Sequence, residues 1–254
     1  MAFVHGKDTT VLYDASDLSQ FFTDINSSRT VETNQCTAFG ASSHSYIVGL
    51  QDGTASASGY LDLTASTGVD VILQATLGDQ SSDAVSDGHL MILNKTQAVS
   101  DNVQIMRCDT TNYSITTPVA DVASISADFQ SSEGIKAAQL LNISTADRTP
   151  ADSGGTYLSS AIDVGGASSS TGAIAQLHVV TNAIAATTVI KIRHSASSSG
   201  TYADLVTFST VGSTATVSER KSVATGSTIN RYMKVQAVTS GSNAINFALA
   251  IARL

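Results

Sequence analysis

The chain is 254 residues long, 42% hydrophobic and 6% aromatic, with no tryptophan, two prolines and a formal net charge of −8. That apolar share supports a packed core and excludes wholesale disorder, and no apolar run reaches the ~18 residues that a membrane helix needs. Residues 1–150 hold 17 Asp and Glu against 6 Lys and Arg, and residues 151–254 hold 4 against 7. The resulting net charges, −11 and +3, point to two domains. They exclude the first as a grip on nucleic acid, because such binding comes from Lys and Arg neutralising phosphates.

The opening MAFVHGKDTT has neither an apolar stretch nor a cleavage site, so no secretory signal is expected and the chain reads as one that folds in a cytosol. Cys36 and Cys108 then read as free, partly buried thiols. Scarce proline with abundant Thr, Val and Ser suits long, continuously paired strands.

In chain order, a strand is predicted over Thr9–Tyr13, then a short helix over Asp17–Phe22 with Leu18, Phe21 and Phe22 as its apolar face. A long strand Ile25–Gln35, a loop Cys36–Leu50 and a strand Thr54–Leu61 follow. In the last of these Ala55, Ala57 and Gly59 alternate with Ser56, Ser58 and Tyr60, the period of a half-buried strand. A helix is predicted over about 67–77, because Val69, Ile72, Leu73 and Leu77 fall at i, i+3, i+4 and i+8 and Gly78 can end it. Strands His89–Leu93, Val103–Arg107, Asn112–Pro118, Val122–Phe129 and Gly134–Ile143 come next, with a turn at Asp109–Thr111.

Residues 144–155, STADRTPADSGG, lack apolar periodicity and contain one of the two prolines, which makes them the linker candidate. Seven strands are predicted beyond it: Tyr157–Val164, Ala173–Thr181, Thr187–His194, Ala203–Val211, Thr214–Ser222, Arg231–Val238 and Ala244–Ala252. Gly/Ser/Thr-rich separators at this spacing indicate an antiparallel β-sandwich.

No motif points to chemistry. His5, His44, His89, His178 and His194 never fall at metal-ligand spacing, and neither a phosphate-binding loop nor a nucleophile elbow is present. The acidic residues around Asp83, Asp87 and Gly88 depart from a calcium loop at its essential oxygens. Asp14, Asp52, Asp79, Asp87 and Asp109 read as turn residues before they read as catalytic carboxylates. No enzyme activity, metal or cofactor is therefore expected. The run TAFGASSHSYIVGLQDG carries Phe39, Tyr46, Ile47, Val48 and Leu50 and would be a liability if left bare, so it either folds back as core or covers a neighbouring subunit.

The order of a short strand, DLSQFF, the long strand SRTVETNQ, TAFGASSHSYIVGLQDGTASASGYLD and a helix resembles the major tail tube proteins of long-tailed bacteriophages over residues 3–145. The segment beyond 155 is similar to the Ig-like sandwich that some of them carry on the outside. The resemblance implies a mainly β fold with a tail-tube-type β-sandwich or barrel and one short flanking helix over 1–146, a linker over 147–155 and an antiparallel sandwich over 156–254. It implies a structural virion protein, assembled in the host cytoplasm, whose hexameric rings stack into a tube. Genomic DNA would pass the acidic lumen without specific binding during ejection; other tail proteins would be partners, and nothing would insert in a membrane. Cys36–Leu50 would be the inter-ring loop, with Phe39, His44, Tyr46, Ile47 and Leu50 at the subunit interface. The alternative is a capsid decoration or adhesion protein whose sandwich binds host surface glycans.

Overall fold

The computed structural model describes residues 5–40, 42–64, 68–77, 88–149, 155–239, 241 and 243–254. The fold is mainly β, as expected, with antiparallel sheets that do not close into a barrel. The strands are β1 Thr10–Tyr13, β2 Ser16–Asp17, β3 Phe22–Gln35, β4 Tyr46–Tyr60, β5 Gly88–Leu93, β6 Asn102–Thr116, β7 Ser124–Ser131 and β8 Lys136–Asn142. They continue as β9 Thr156–Leu158, β10 Ile162–Asp163, β11 Ala173–Asn182, β12 Thr188–Ser195, β13 Ala203–Thr207, β14 Val217–Val223, β15 Tyr232–Thr239 and β16 Ile245–Arg253. Among the described residues one α-helix is present, α1 Val69–Ala75.

The chain forms two compact units, and they are not consecutive halves. The first comprises Met1–Ser19, His89–Ile105 and Lys136–Leu254, and the second Gln20–Gly88 and Met106–Ile135. A division at 147–155 does not separate them, because β16 pairs with both β8 (Leu249↔Asn142) and β11 (Leu177↔Leu249). Residues 150–154 of the expected linker lie outside the described residues; at its edge the Arg148 N–H donates to the Ile245 carbonyl at 3.1 Å.

In the first unit, β11 and β16 are buried on both sides, which is why AIAQLHVV and INFALAIA read as nearly unbroken apolar runs. Leu177, Val179, Phe247, Leu249 and Ile251 face a core completed by Ile190, Ile192, Met233 and Val235 from the opposing sheet of β9, β10, β12, β13 and β15. This is the predicted sandwich. On the other side, Ile174, Ala248, Ala250 and Ala252 meet Leu12, Met91, Leu93, Ile105 and Leu140. Strands assigned to the N-terminal domain from sequence therefore share a core with the sandwich.

Two polar residues interrupt β11 on that second side, and both are fully buried, so each needs a partner. The Gln176 amide donates to the Leu90 carbonyl (3.0 Å), stands 2.9 Å from His178 Nε2 and accepts from Arg220 (3.1 Å). Ser218 donates to Asp14 (2.6 Å) and lies 3.0 Å from His89 Nδ1. Asp14 and Ala15, at φ 43° and 65°, form the left-handed turn between β1 and β2. Burial, with His89 nearby, pushes the His178 pKa down to about 3.

In the second unit, β3, β4, β7 and residues 106–116 of β6 lie side by side in that order. Ala55↔Phe129, Ala57↔Ala127 and Gly59↔Ile125 share one side, with Thr110 and Tyr113 of β6 in register beside them. α1 covers this side. Tyr113 donates to Asp70 at 2.5 Å and Thr76 bonds Thr110 at 3.0 Å, while burial, then Asp70, raises the Tyr113 pKa. The small residues of β4 allow close approach: a Cβ on Gly59 would sit 2.0 Å from the Phe21 carbonyl oxygen.

Three local expectations are corrected. Asp17–Phe22 is not a helix: Asp17 accepts from the Ser19 N–H and hydroxyl, a local alternative to helical bonding, and the Leu18 N–H donates to Val11 O. Asp109–Thr111 is not a turn, because β6 runs on through a register shift between Thr110 and Asn112. Asp52 and Asp109 accordingly sit within strands. The predicted helix end at Gly78 and the acidic stretch containing Asp79, Asp83 and Asp87 lie outside the described residues.

Candidate assembly surface

β7 pairs with β4 only over Thr54–Tyr60, whereas β3 pairs with β4 as far as Gln35↔Tyr46. The distal part of the hairpin is therefore a two-stranded ribbon, and every residue of β3 from Arg29 to Gln35 and of β4 from Tyr46 to Asp52 is exposed. The expected loop Cys36–Leu50 is shorter than predicted, because Tyr46–Leu50 already belongs to β4. Aromatic and β-branched residues there favour the extended backbone.

The tip is ordered by its own polar groups. The Cys36 N–H donates to the Ser45 carbonyl (2.8 Å) and the Ser45 N–H to the Thr37 hydroxyl (3.1 Å). The Gln35 amide donates to Thr37 (3.1 Å) and lies 2.7 Å from His44 Nδ1. Phe39 is wholly bare, at 110% relative exposure.

A bulge sorts the apolar side chains. Val31 faces Gln51 but Thr33 faces Val48, so β4 carries one extra residue at Gly49–Leu50. Past the bulge the alternation inverts. Tyr46 and Val48 therefore share a side with Val31, and Ile47 lies on the other side with Asn34. The arm thus unites all five expected interface residues, Phe39 and His44 at the tip and Tyr46, Ile47 and Leu50 on β4, but it does not put them on one side. Val31 belongs with them. Gly49, opposite Glu32, was its only trace in the sequence.

The other side of the second unit's sheet, away from α1, is polar. Asn26, Ser28, Thr54, Ser56, Asp128 and Gln130 line a shallow depression of about 350 Å³ there. Asn112 donates to Asp128 (2.9 Å), Gln130 to Asp52 (2.6 Å), and Ser114 bonds Ser126 (2.8 Å). The registers add Asp24 beside Ser58 and Asp109 beside Gln130. Of the two arginines of these strands, Arg29 pairs with Gly53 on the α1 side, whereas Arg107, two residues before Asp109, falls on the polar side and meets Glu133 at 3.5 Å. The unit as a whole holds 12 Asp and Glu against 2 Arg.

Cys36 is exposed and Cys108 buried, both unpaired with another sulfur. Among the described residues no group of three or more His, Cys, Asp or Glu is placed to hold a metal.

No protein-family model matches the chain, and no curated protein does. Among solved structures, a chain of the "Virion of native gene transfer agent (GTA) particle" is similar with a TM-score of 0.41 at 13% identity, over 52% of this chain and 97% of that one. A chain of "infectious bursal disease virus Gx strain" is similar with a TM-score of 0.22 at 14% identity, over 96% of this chain and 58% of that one.

Proposed function

We propose that this chain is a structural virion protein, a tail tube subunit whose hexameric rings stack into a channel that conducts DNA. The observation that carries the reading is the bare arm, which carries no Asp, Glu, Lys or Arg from Thr33 to Gln51. An isolated two-stranded ribbon is marginal in water, and one that displays Val31, Phe39, Tyr46, Ile47, Val48 and Leu50 gains most by burial against another subunit. The acidic sheet side, where Asp24, Asp52, Asp109 and Asp128 outnumber Arg107, supports the second half of the reading. A carboxylate wall repels a duplex over roughly the 8 Å Debye length at physiological salt, whereas Lys or Arg would bind phosphates and add friction. Subunit association also shields strand edges such as the outer side of β3, which pairs only with β4.

The reading gives the chain no catalytic step. Negative-stain images of the purified protein test it: hexameric rings or tubes are expected. Stable monomers, or trimers that bind glycans, would overturn it in favour of the decoration or adhesion protein.

A further inference from the structure

We propose that the outward side of the sheet formed by β9, β10, β12, β13 and β15 binds an anionic glycan, a sugar or polyol chain bearing carboxylate or phosphate groups, through Lys191, Arg193 and Lys234. That side lies wholly within the first unit, so the inference stands apart from the tube reading.

Alternation sets which side chains point outward. Ile190 and Ile192 of β12 and Met233 and Val235 of β15 are wholly buried in the sandwich, so Lys191, Arg193, Lys234 and Gln236 face the other way. Arg193 is the register partner of Lys234, and Lys191 that of Gln236. Two cations therefore stand directly opposite each other on adjacent strands, an arrangement that destabilises a sheet when no anion neutralises it.

The protein's own carboxylates do not fill that role. The five strands contain two, Asp163 and Asp204. Asp163 accepts two bonds from Arg231, each at 2.8 Å. Asp204 is shared between Lys191 (2.7 Å) and Arg193 (3.0 Å), and Lys191 first, then Arg193, holds its pKa below the ordinary carboxylate value. One carboxylate between two cations leaves one positive charge. Lys234 adds a second, its Nζ lying 4.6 Å from the centre of the Tyr202 ring.

Spacing and chemistry select the ligand. Lys191 and Arg193 stand two residues apart, ~7 Å along β12, and Lys234 lies one strand away, ~5 Å across. A row of charges on an open strand surface suits a linear polymer with an anion at each repeat, whereas one small anion reaches only part of it. Thr207 and Gln236, in register on either side of Lys191, add the hydroxyl and amide that bond sugar hydroxyls. A nucleic acid fits less well. Single strands bind by stacking bases on aromatic faces, and here Lys234 sits over the Tyr202 ring and Arg231 over the Tyr232 ring, at 5.4 Å.

Binding of the purified chain to polygalacturonate, neutral dextran and single-stranded DNA, read by biolayer interferometry at low salt, tests the proposal. Polygalacturonate should bind, and more tightly than DNA, while dextran should not bind. Lys234→Gln should weaken polygalacturonate binding about tenfold, the loss of one charge-assisted bond, and Lys234→Arg should keep it. The melting temperature of Lys234→Gln should hold or rise, because the substitution removes the like-charge pair. Equal binding of dextran or DNA overturns the inference, as does undiminished binding by Lys234→Gln. So does a lowered melting temperature in that variant, which would make Lys234 a structural residue. Hexameric rings that bind no polygalacturonate overturn this binding face and leave the tube reading standing, whereas monomers that bind it do the reverse.

Discussion

The two units treat apolar side chains in opposite ways. In the first, Phe247, Leu249, Leu177 and Met233 are wholly buried, and the exposed large hydrophobics are Val99, Leu158, Val238 and Leu254, scattered singly. In the second, small residues fill the strand centre while Val31, Phe39, Tyr46, Ile47, Val48, Leu50, Leu63, Val119 and Val122 stand in solvent at its two ends. Charge divides the same way: the second unit carries a net of −10 (12 acids, 2 arginines), so the rest of the chain has +2 of the total −8. Isolated exposed hydrophobics are ordinary on any protein, but a concentration of them within an acidic unit marks a surface meant to be covered. One unit spends its hydrophobic residues on folding, and the other leaves many of them in solvent at its two ends.

Substitutions can break this contrast, and their expected cost to stability falls in order. Ending the chain near Ser153 removes β11 and β16, and with them the partners of Leu140, Leu141, Leu12 and Met91. The first unit should then lose cooperative unfolding altogether, read by calorimetry; a truncated chain that still melts sharply would show that the sandwich is separable. Phe247→Ala leaves a cavity in the centre of that core and should cost about 3–5 kcal/mol in denaturant titrations.

Acid should act on the first unit through His178. Its folded pKa of about 3 lies below the ordinary 6.5, so the unfolded chain binds the proton first as pH falls. Stability is therefore full above pH 6.5 and declines by up to about 1.4 kcal/mol per pH unit down to pH 3. Comparing unfolding midpoints with those of His178→Gln isolates this slope; equal slopes would remove His178 from the account.

In the second unit, Gly59→Ala forces a methyl onto the Phe21 carbonyl and should cost about 1–3 kcal/mol by thermal melt. Smallest of all, Tyr46→Asp with Leu50→Asp should alter stability by no more than about 0.5 kcal/mol, since both side chains are exposed. Yet the same pair should abolish assembly in micrographs. Long tubes from that variant would take the arm out of the interface.

Local periodicity made much of the fold legible. Six of the seven predicted C-terminal strands, the small-residue alternation of β4 and the helical stripe around Val69 and Leu73 appear where their patterns place them, while Tyr157–Val164 is broken into β9 and β10. The patterns worked because each is a statement about which residues share a side. They failed where a side chain's local bonding competes with its propensity, as Asp17 does with Ser19, and where a bulge lets a strand absorb turn-like residues, as β6 does near Thr111.

The candidate site was legible in composition but not in arrangement. The apolar residues of the arm stand out in the sequence, whereas the bulge that separates Ile47 from Tyr46 and Val48 depends on which residues pair across the two strands.

Strand content, the acidic imbalance and the supply of unburied apolar residues were determined by the sequence alone, because they follow from residue type and short-range period. Which strands share a core was decided only by tertiary structure. Pairing across a hundred residues, as between β8 and β16, leaves no local signature: a strand that meets a partner from the next segment and one that meets a partner from the far end of the chain carry the same alternation.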